Sequence, residues 1–159
     1  MGTADTELEF LGPERAEEIS AIAFPLFREV YSYVPQDVVE GFLQETQTPE
    51  AIRKQMADGL EYAYILYKGE RAGYVAFGID AEGMYLSKFY LFRDYRRQGL
   101  GSWVMEYVEH RARESGAGQI HLDVNRENAP AIAFYGKHGF VKGGDITFRR
   151  VVMTKALAD

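Results

Sequence analysis

Arg96-Arg97-Gln98-Gly99-Leu100-Gly101-Ser102 sets two arginines, a glutamine and two glycines just ahead of an apolar-periodic segment. A helix that starts there exposes unpaired backbone N–H groups and a partial positive charge. Glycines let that backbone approach an anion closely, so the turn suits a phosphate or pyrophosphate, with the arginines adding charge. A P-loop would need Gly-Lys-Ser/Thr and wider glycine spacing, and a dinucleotide fingerprint would need a third glycine where Val104 stands. Turn-shaping alone is the bland alternative. The three histidines, His110, His121 and His138, fall on a helix, a strand and a turn and show no metal spacing.

The elements around this turn follow from local pattern. Glu7 to Leu11 reads as a short strand. Pro13 opens a helix with apolar residues at Ile19, Ile22, Ala23, Leu26, Phe27 and Val30, and Pro25 is expected to kink or break it near Ala21. A second helix is expected near Gln36 to Gln44. A third follows Thr48-Pro49, with threonine as cap, and stops near Gly59. Tyr62–Tyr67, Ala72–Ile79 and Met84–Phe92 then read as an antiparallel meander. A helix from about Gly101 to Ser115 carries Leu100, Val104, Tyr107 and Val108 as its stripe. A strand Gln119–Asn125 alternates Ile120, Leu122 and Val124 against His121 and Asp123. A helix from Ala129 to about Lys137 and closing strands at Phe140–Val141 and Thr147–Met153 complete the chain. Strand, glycine turn, helix, strand is a crossover unit, so the strands near Phe89 and Leu122 are expected to be parallel neighbours.

Composition narrows the function. The 159 residues are 47% hydrophobic, enough for one compact domain with a core, expected over 1–159. A net charge of −6 argues against a nucleic-acid partner and suits a cationic substrate or simple solubility equally well. The absence of cysteine excludes disulfides and a thiolate nucleophile and suits the cytoplasm. No apolar run is long enough for a membrane span. Met1-Gly2-Thr3-Ala4-Asp5-Thr6 matches the loose myristoylation pattern, taken as coincidental because no polybasic segment accompanies it.

Arg96-x-x-Gly99-x-Gly101 resembles the acyl-CoA pyrophosphate loop of the GNAT superfamily of N-acyltransferases. Leu122 to Phe140, with Asn128, Ala131-Ile132-Ala133-Phe134-Tyr135 and Gly139-Phe140, resembles that family's strand-loop-helix segment, and Leu86 to Leu91 resembles its central strand. The resemblance implies an α+β fold of three layers, α/β/α. Its mostly antiparallel sheet of about seven strands would have one parallel pair splayed to hold acyl-CoA. It implies acetyl-CoA as co-substrate and no metal. Phe89, Tyr90 and Leu91 would meet pantetheine and supply an oxyanion-hole N–H. Arg96, Arg97, Gln98, Gly99, Leu100, Gly101 and Ser102 would hold pyrophosphate, and Asn128 would bond pantetheine or cap its helix.

The implied reaction is direct attack by a primary amine on the thioester, and the amine must first lose a proton. Asp123 is the first candidate base and His121 the reserve, with ordered water as a third route. Tyr135 corresponds to the family's acid at the departing thiolate and also lies in the cofactor contact set. Tyr31, Tyr33, Asp37 and Glu40, with Glu45 and Glu50, are the expected acceptor side. The three-piece helical start and Leu86-Ser87-Lys88-Phe89-Tyr90-Leu91 resemble the polyamine branch, spermidine and spermine acetyltransferases, and the acidic and aromatic residues of the acceptor side suit a polycation. Protein N-terminal acetylation, an idle acyl-CoA sensor and, more remotely, a small nicotinamide-binding domain are the rivals. The partner is a small-molecule amine, with no nucleic acid and no membrane, and the reading leaves room for a homodimer.

Overall fold

The computed structural model describes residues 5–145 and 149–157. Gly2, and Thr147 at the expected start of the last strand, lie outside the described residues. Among the described residues, seven strands and five α-helices follow in the order β1 (Thr6–Leu11), α1 (Ala16–Val30), α2 (Gln36–Thr46), α3 (Pro49–Ala57), β2 (Glu61–Tyr67), β3 (Glu70–Asp80), β4 (Gly83–Leu91), α4 (Leu100–Glu114), β5 (Gln119–Asn125), α5 (Ala129–Lys137), β6 (Val141–Asp145) and β7 (Arg150–Ala156). The strands form one sheet in the order β1-β2-β3-β4-β5-β7-β6. The sheet is mostly antiparallel, with β4 and β5 as its parallel pair.

Two compact units can be distinguished, Phe10–Tyr62 and the remainder, with boundaries inside β1 and β2. In the helical unit, α1 runs through Pro25 as one helix, so of the expected kink or break the break is absent. Pro25 still removes the bond to the Ala21 carbonyl. Burial of Ile19, Ala23, Leu26 and Phe27 on either side keeps the chain helical and outweighs one lost bond. Thr48 caps α3 as expected, accepting from the Ala51 N–H at 3.1 Å. The Tyr62 hydroxyl is fixed between Gln47 and Gln55.

The sheet unit owes its connections to backbone that glycine permits. Lys68 (φ 52) and Gly69 (φ 80) both lie in the left-handed region, the pattern of a type I′ hairpin turn between β2 and β3. The core packs Val104, Met105 and Val108 of α4 against Val75 and Phe77 of β3, Met84 and Leu86 of β4, and Ile120, Leu122 and Val124 of β5. Within the described residues β7 runs from Arg150 to Ala156, past the expected end at Met153. It pairs with the whole of β5, from Asn125↔Arg150 to Gln119↔Ala156, and those bonds extend it past Met153. β6 continues through Gly143 and Gly144, where local pattern gave no strand, because β7 supplies its partner. Among the described residues, no helix is long and apolar enough to cross a membrane.

Candidate active site

The parallel ladder between β4 and β5 has two rungs, Met84↔Ile120 and Tyr85↔His121. Beyond them the strands part, while β4 stays on β3 as far as Gly73↔Leu91. The bond from the Phe92 N–H to the Ala72 carbonyl, 2.7 Å, fixes the phase of that β3 pairing. Antiparallel rungs alternate, so Lys88 and Tyr90 direct their backbone groups to β3, and Phe89 and Leu91 direct theirs to the β5 side. The Leu91 carbonyl accepts from Arg96 Nε at 2.8 Å. The Phe89 N–H and C=O and the Leu91 N–H therefore face the gap. Tyr90, expected to join them, does not do so through its backbone. Its ring lies 5.9 Å from that of Tyr74. Gly73 permits this close pairing, since a Cβ there would lie 2.0 Å from the Tyr90 carbonyl oxygen.

The end of β4 leads into the glycine turn. Arg97 (φ 63) and Gly99 (φ 86) are both left-handed, and Gly99 is the N-cap of α4. The Gly99 carbonyl accepts from the Trp103 N–H at 3.2 Å. The N–H groups of Leu100, Gly101 and Ser102 fall in the first turn, where no carbonyl lies one turn back. No side chain caps this end and its first turn holds no acid, so it remains electropositive. These features fit an acyl-CoA pyrophosphate. The side chains divide the labour differently from the simple expectation. Arg96 braces the turn against Leu91, and Gln98 donates to the Asp94 carbonyl at 2.7 Å. Ser102 Oγ shares a hydrogen bond with His138 Nε2 at 3.1 Å. Burial holds His138 below the usual histidine value, with Lys155 acting in the same direction.

Helix α5 closes on this turn. Asn128 caps it, its Oδ1 accepting from the Ala131 N–H at 3.3 Å. A Cβ on Gly101 would stand 3.1 Å from the Phe134 ring, so glycine is what lets Phe134 lie against the first turn of α4. Phe134 also packs 5.9 Å from Phe89, and Tyr135 lies 5.5 Å from Phe134 and 5.6 Å from Phe140. Phe89, the α4 N-terminus and Tyr135 are thus linked through one aromatic cluster.

On the sheet face opposite the α4 core, β4, β5 and β7 bring together a polar group. Asp123 Oδ2 accepts from Arg150 Nε at 2.5 Å and Oδ1 from the Tyr85 hydroxyl at 3.2 Å. Burial, then the Asp123 charge, pushes Tyr85 up to about 12, so it stays a protonated donor. His121 stacks on Tyr85 at 5.1 Å and bonds Asp80 at 2.9 Å. Lys88, 7% exposed, donates to Ser87 Oγ at 3.0 Å. Burial pushes its ammonium down to about 8, with Asp123 pulling up and Arg150 pushing further down.

Tyr85, Lys88 and Arg150 were missed as site residues by sequence reasoning. One signal was present for Lys88. The apolar positions Met84, Leu86, Phe89 and Leu91 change phase after Leu86, which marks a bulge. The structure has it at Ser87, where Ala76↔Lys88 is followed by Phe77↔Leu86.

The expected acceptor residues belong to the helical unit. Tyr31 is buried, Tyr33 is exposed, and their rings are 6.3 Å apart. Asp37 is exposed in the first turn of α2. Glu40 is held by Arg28 at 2.6 and 2.9 Å.

Residues 20–140 match the acetyltransferase (GNAT) family. The chain belongs to this family. It is 26% identical over 123 residues to an uncharacterized N-acetyltransferase from the pepI 3′ region of Lactobacillus delbrueckii subsp. lactis, covering 72% of this chain and 70% of that one. It is 31% identical over 86 residues to the streptothricin acetyltransferase of Streptomyces lavendulae, covering 53% of this chain and 46% of the relative. Its fold matches the crystal structure of the PaiA N-acetyltransferase of Thermoplasma acidophilum in complex with coenzyme A, with a TM-score of 0.82, 20% identity, and 96% of this chain and 99% of that chain covered. As a GNAT protein it is an acetyl-CoA-dependent N-acetyltransferase, and the splayed strands and uncapped α4 are the elements that suit the acyl donor.

Proposed function

We propose that this GNAT enzyme moves an acetyl group from acetyl-CoA to a primary amine of a small polyamine by direct attack. The observation that carries the transfer chemistry is the two-rung β4–β5 ladder, which leaves the Phe89 and Leu91 backbone turned to the gap. Pantetheine amides pair with those groups as a strand would. The Leu100, Gly101 and Ser102 N–H groups hold the pyrophosphate, helped by Arg97. A backbone N–H at Phe89 or Leu91 receives the carbonyl oxygen as charge develops on it. The Tyr135 hydroxyl hydrogen-bonds the departing sulfur. Asn128, besides capping α5, offers its amide to pantetheine.

The polyamine reading rests on the net charge of −6 and on Tyr33 and Asp37, which suit a polycation through cation–π contact and charge, while Glu40 is already paired with Arg28. The 31% identity to a streptothricin acetyltransferase favours that antibiotic as the second reading. The family match runs through both compact units, which supports treating the chain as one catalytic domain. A cysteine-free chain suits the reducing cytoplasm, where we place the reaction.

Release of free CoA thiol from acetyl-CoA, measured across polyamines, streptothricin, aminoglycosides, amino acids and peptides, tests the assignment. Polyamines should turn over fastest. Turnover of streptothricin or peptides without polyamines would sink the acceptor assignment, and binding of acetyl-CoA with no turnover of any amine would favour a sensor.

A further inference from the structure

Asp123 is poorly placed to serve as the base. Both carboxylate oxygens are engaged, one by Arg150 at 2.5 Å and one by the Tyr85 hydroxyl at 3.2 Å. Arg150 also donates to the Asp123 carbonyl at 3.2 Å, so the guanidinium is fixed over this residue. A carboxylate that bridges two donors organises a surface and gives up hydrogen bonds if it takes a proton.

Lys88 stands on the same face, at the edge of the gap. Its neighbour Phe89 directs its backbone into that gap, and the bulge at Ser87 puts the Lys88 side chain on the face opposite the α4 core. The ammonium is oriented by Ser87 Oγ at 3.0 Å and by the Ser87 carbonyl at 3.4 Å. Its charge is felt by Asp123 on β5 and Arg150 on β7, the strands beyond the gap. Among the described residues, the other ionisable groups of this face include Tyr64 with Arg71 over its ring, Tyr74, Tyr85, Tyr90 and the His121–Asp80 pair.

We propose that Lys88 accepts the proton from the acceptor's attacking nitrogen, and that Asp123 acts as a positioning residue for Tyr85 and Arg150. The inference rests on the acetyl-transfer reading above. In the step, the acceptor nitrogen bonds the acetyl carbon, its proton passes to the neutral Lys88 amine, and the C–S bond breaks with its electron pair leaving on sulfur. The thiolate takes a proton from solvent to give free CoA, with the Tyr135 hydroxyl as its hydrogen-bond donor. Lys88 returns its proton to solvent before the next turnover. An amine held near 8 by burial is neutral in an appreciable fraction of molecules at pH 7 to 8, which a surface lysine is not.

The test compares kcat against pH at saturating acetyl-CoA and amine for wild type, Lys88→Met, Lys88→Arg and Asp123→Asn, with acetyl-CoA affinity measured by calorimetry. Lys88→Met and Lys88→Arg should each lose about 100-fold or more near pH 7.5 while binding acetyl-CoA as wild type does. Arginine keeps the charge but cannot release its proton, so rescue by Lys88→Arg would overturn the proposal. Asp123→Asn removes a charge that favours the ammonium, so its acid limb should move to lower pH. Loss of the limb in Asp123→Asn, with Lys88→Met retaining wild-type rates, would return the role to Asp123. A readout independent of turnover is the titration of the Lys88 side chain by NMR of lysine-labelled protein, assigned with Lys88→Met. Titration well below the other lysines supports the proposal, and titration with them refutes it. If wild type turns over no amine, the transfer reading fails and the proton-acceptor role with it; if it turns over amines while the Lys88 variants keep wild-type rates, only the lysine assignment fails.

Discussion

Replacing Lys88 by methionine should stabilise the fold at neutral pH, although it removes a hydrogen bond. The folded protein lowers this ammonium from an ordinary 10.5 to about 8, chiefly by burial. That difference corresponds to about 3 kcal/mol of stability, present above pH 10.5 and lost as the pH falls through 8, because the buried site then has to accept the charge. Methionine fills a similar volume and carries no charge. Loss of the bond to Ser87 costs about 1 kcal/mol, and the opposed effects of Asp123 and Arg150 partly cancel. The net gain for Lys88→Met at pH 7 is then about 2 kcal/mol, or roughly 4–8 °C in Tm for a chain of this size. Thermal and urea unfolding of both proteins, followed by circular dichroism from pH 6.5 to above 10.5, would measure it. The advantage of the variant should be largest at the acid end, then fall through zero to a deficit of about 1 kcal/mol as wild-type Lys88 becomes neutral in the unfolded chain as well, because the lost Ser87 bond remains. A variant no more stable than wild type at pH 7, or a gain that does not change with pH, would refute the reasoning.

The remaining predictions concern the acyl-donor site. Gly99→Ala finds open space for its Cβ, so its cost comes from φ 86 alone, about 1–2 kcal/mol. Relaxation of that strain should move the α4 N–H groups and weaken acetyl-CoA binding several-fold, and calorimetry showing wild-type affinity would remove the turn from the site. Tyr135→Phe should bind acetyl-CoA normally and lose about 10- to 100-fold in turnover; equal turnover with the same amine would exclude its hydroxyl from the chemistry. Gly73→Ala would drive a Cβ into the Tyr90 carbonyl, so β4 must shift. A lower melting temperature and weaker acetyl-CoA binding should appear together, and a variant with both unchanged would show that the close β3–β4 pairing does not shape the gap.

Much of this protein was legible in order along the chain. The Thr48-Pro49 start of α3, the alternation that makes β5, and the Asn128-Ala129-Pro130 start of α5 are local signals, and the structure places all three as read. They act over one or two turns, so neighbouring residues suffice to set them. The glycine turn was equally plain, because left-handed backbone at Gly99 needs no distant partner. Only the tertiary structure decided how far β4 and β5 run together, since a gap between strands is a failure of pairing by residues some 35 positions apart. It also decided that Arg150, 27 residues from Asp123, occupies that carboxylate, through the register of β7 on β5. Burial pushes Lys88 toward neutrality by removing water, and a residue's burial depends on everything that folds over it. Pro25 makes the same point from the other side. The local rule removed one hydrogen bond from α1, and the packing of residues on both sides kept the helix whole.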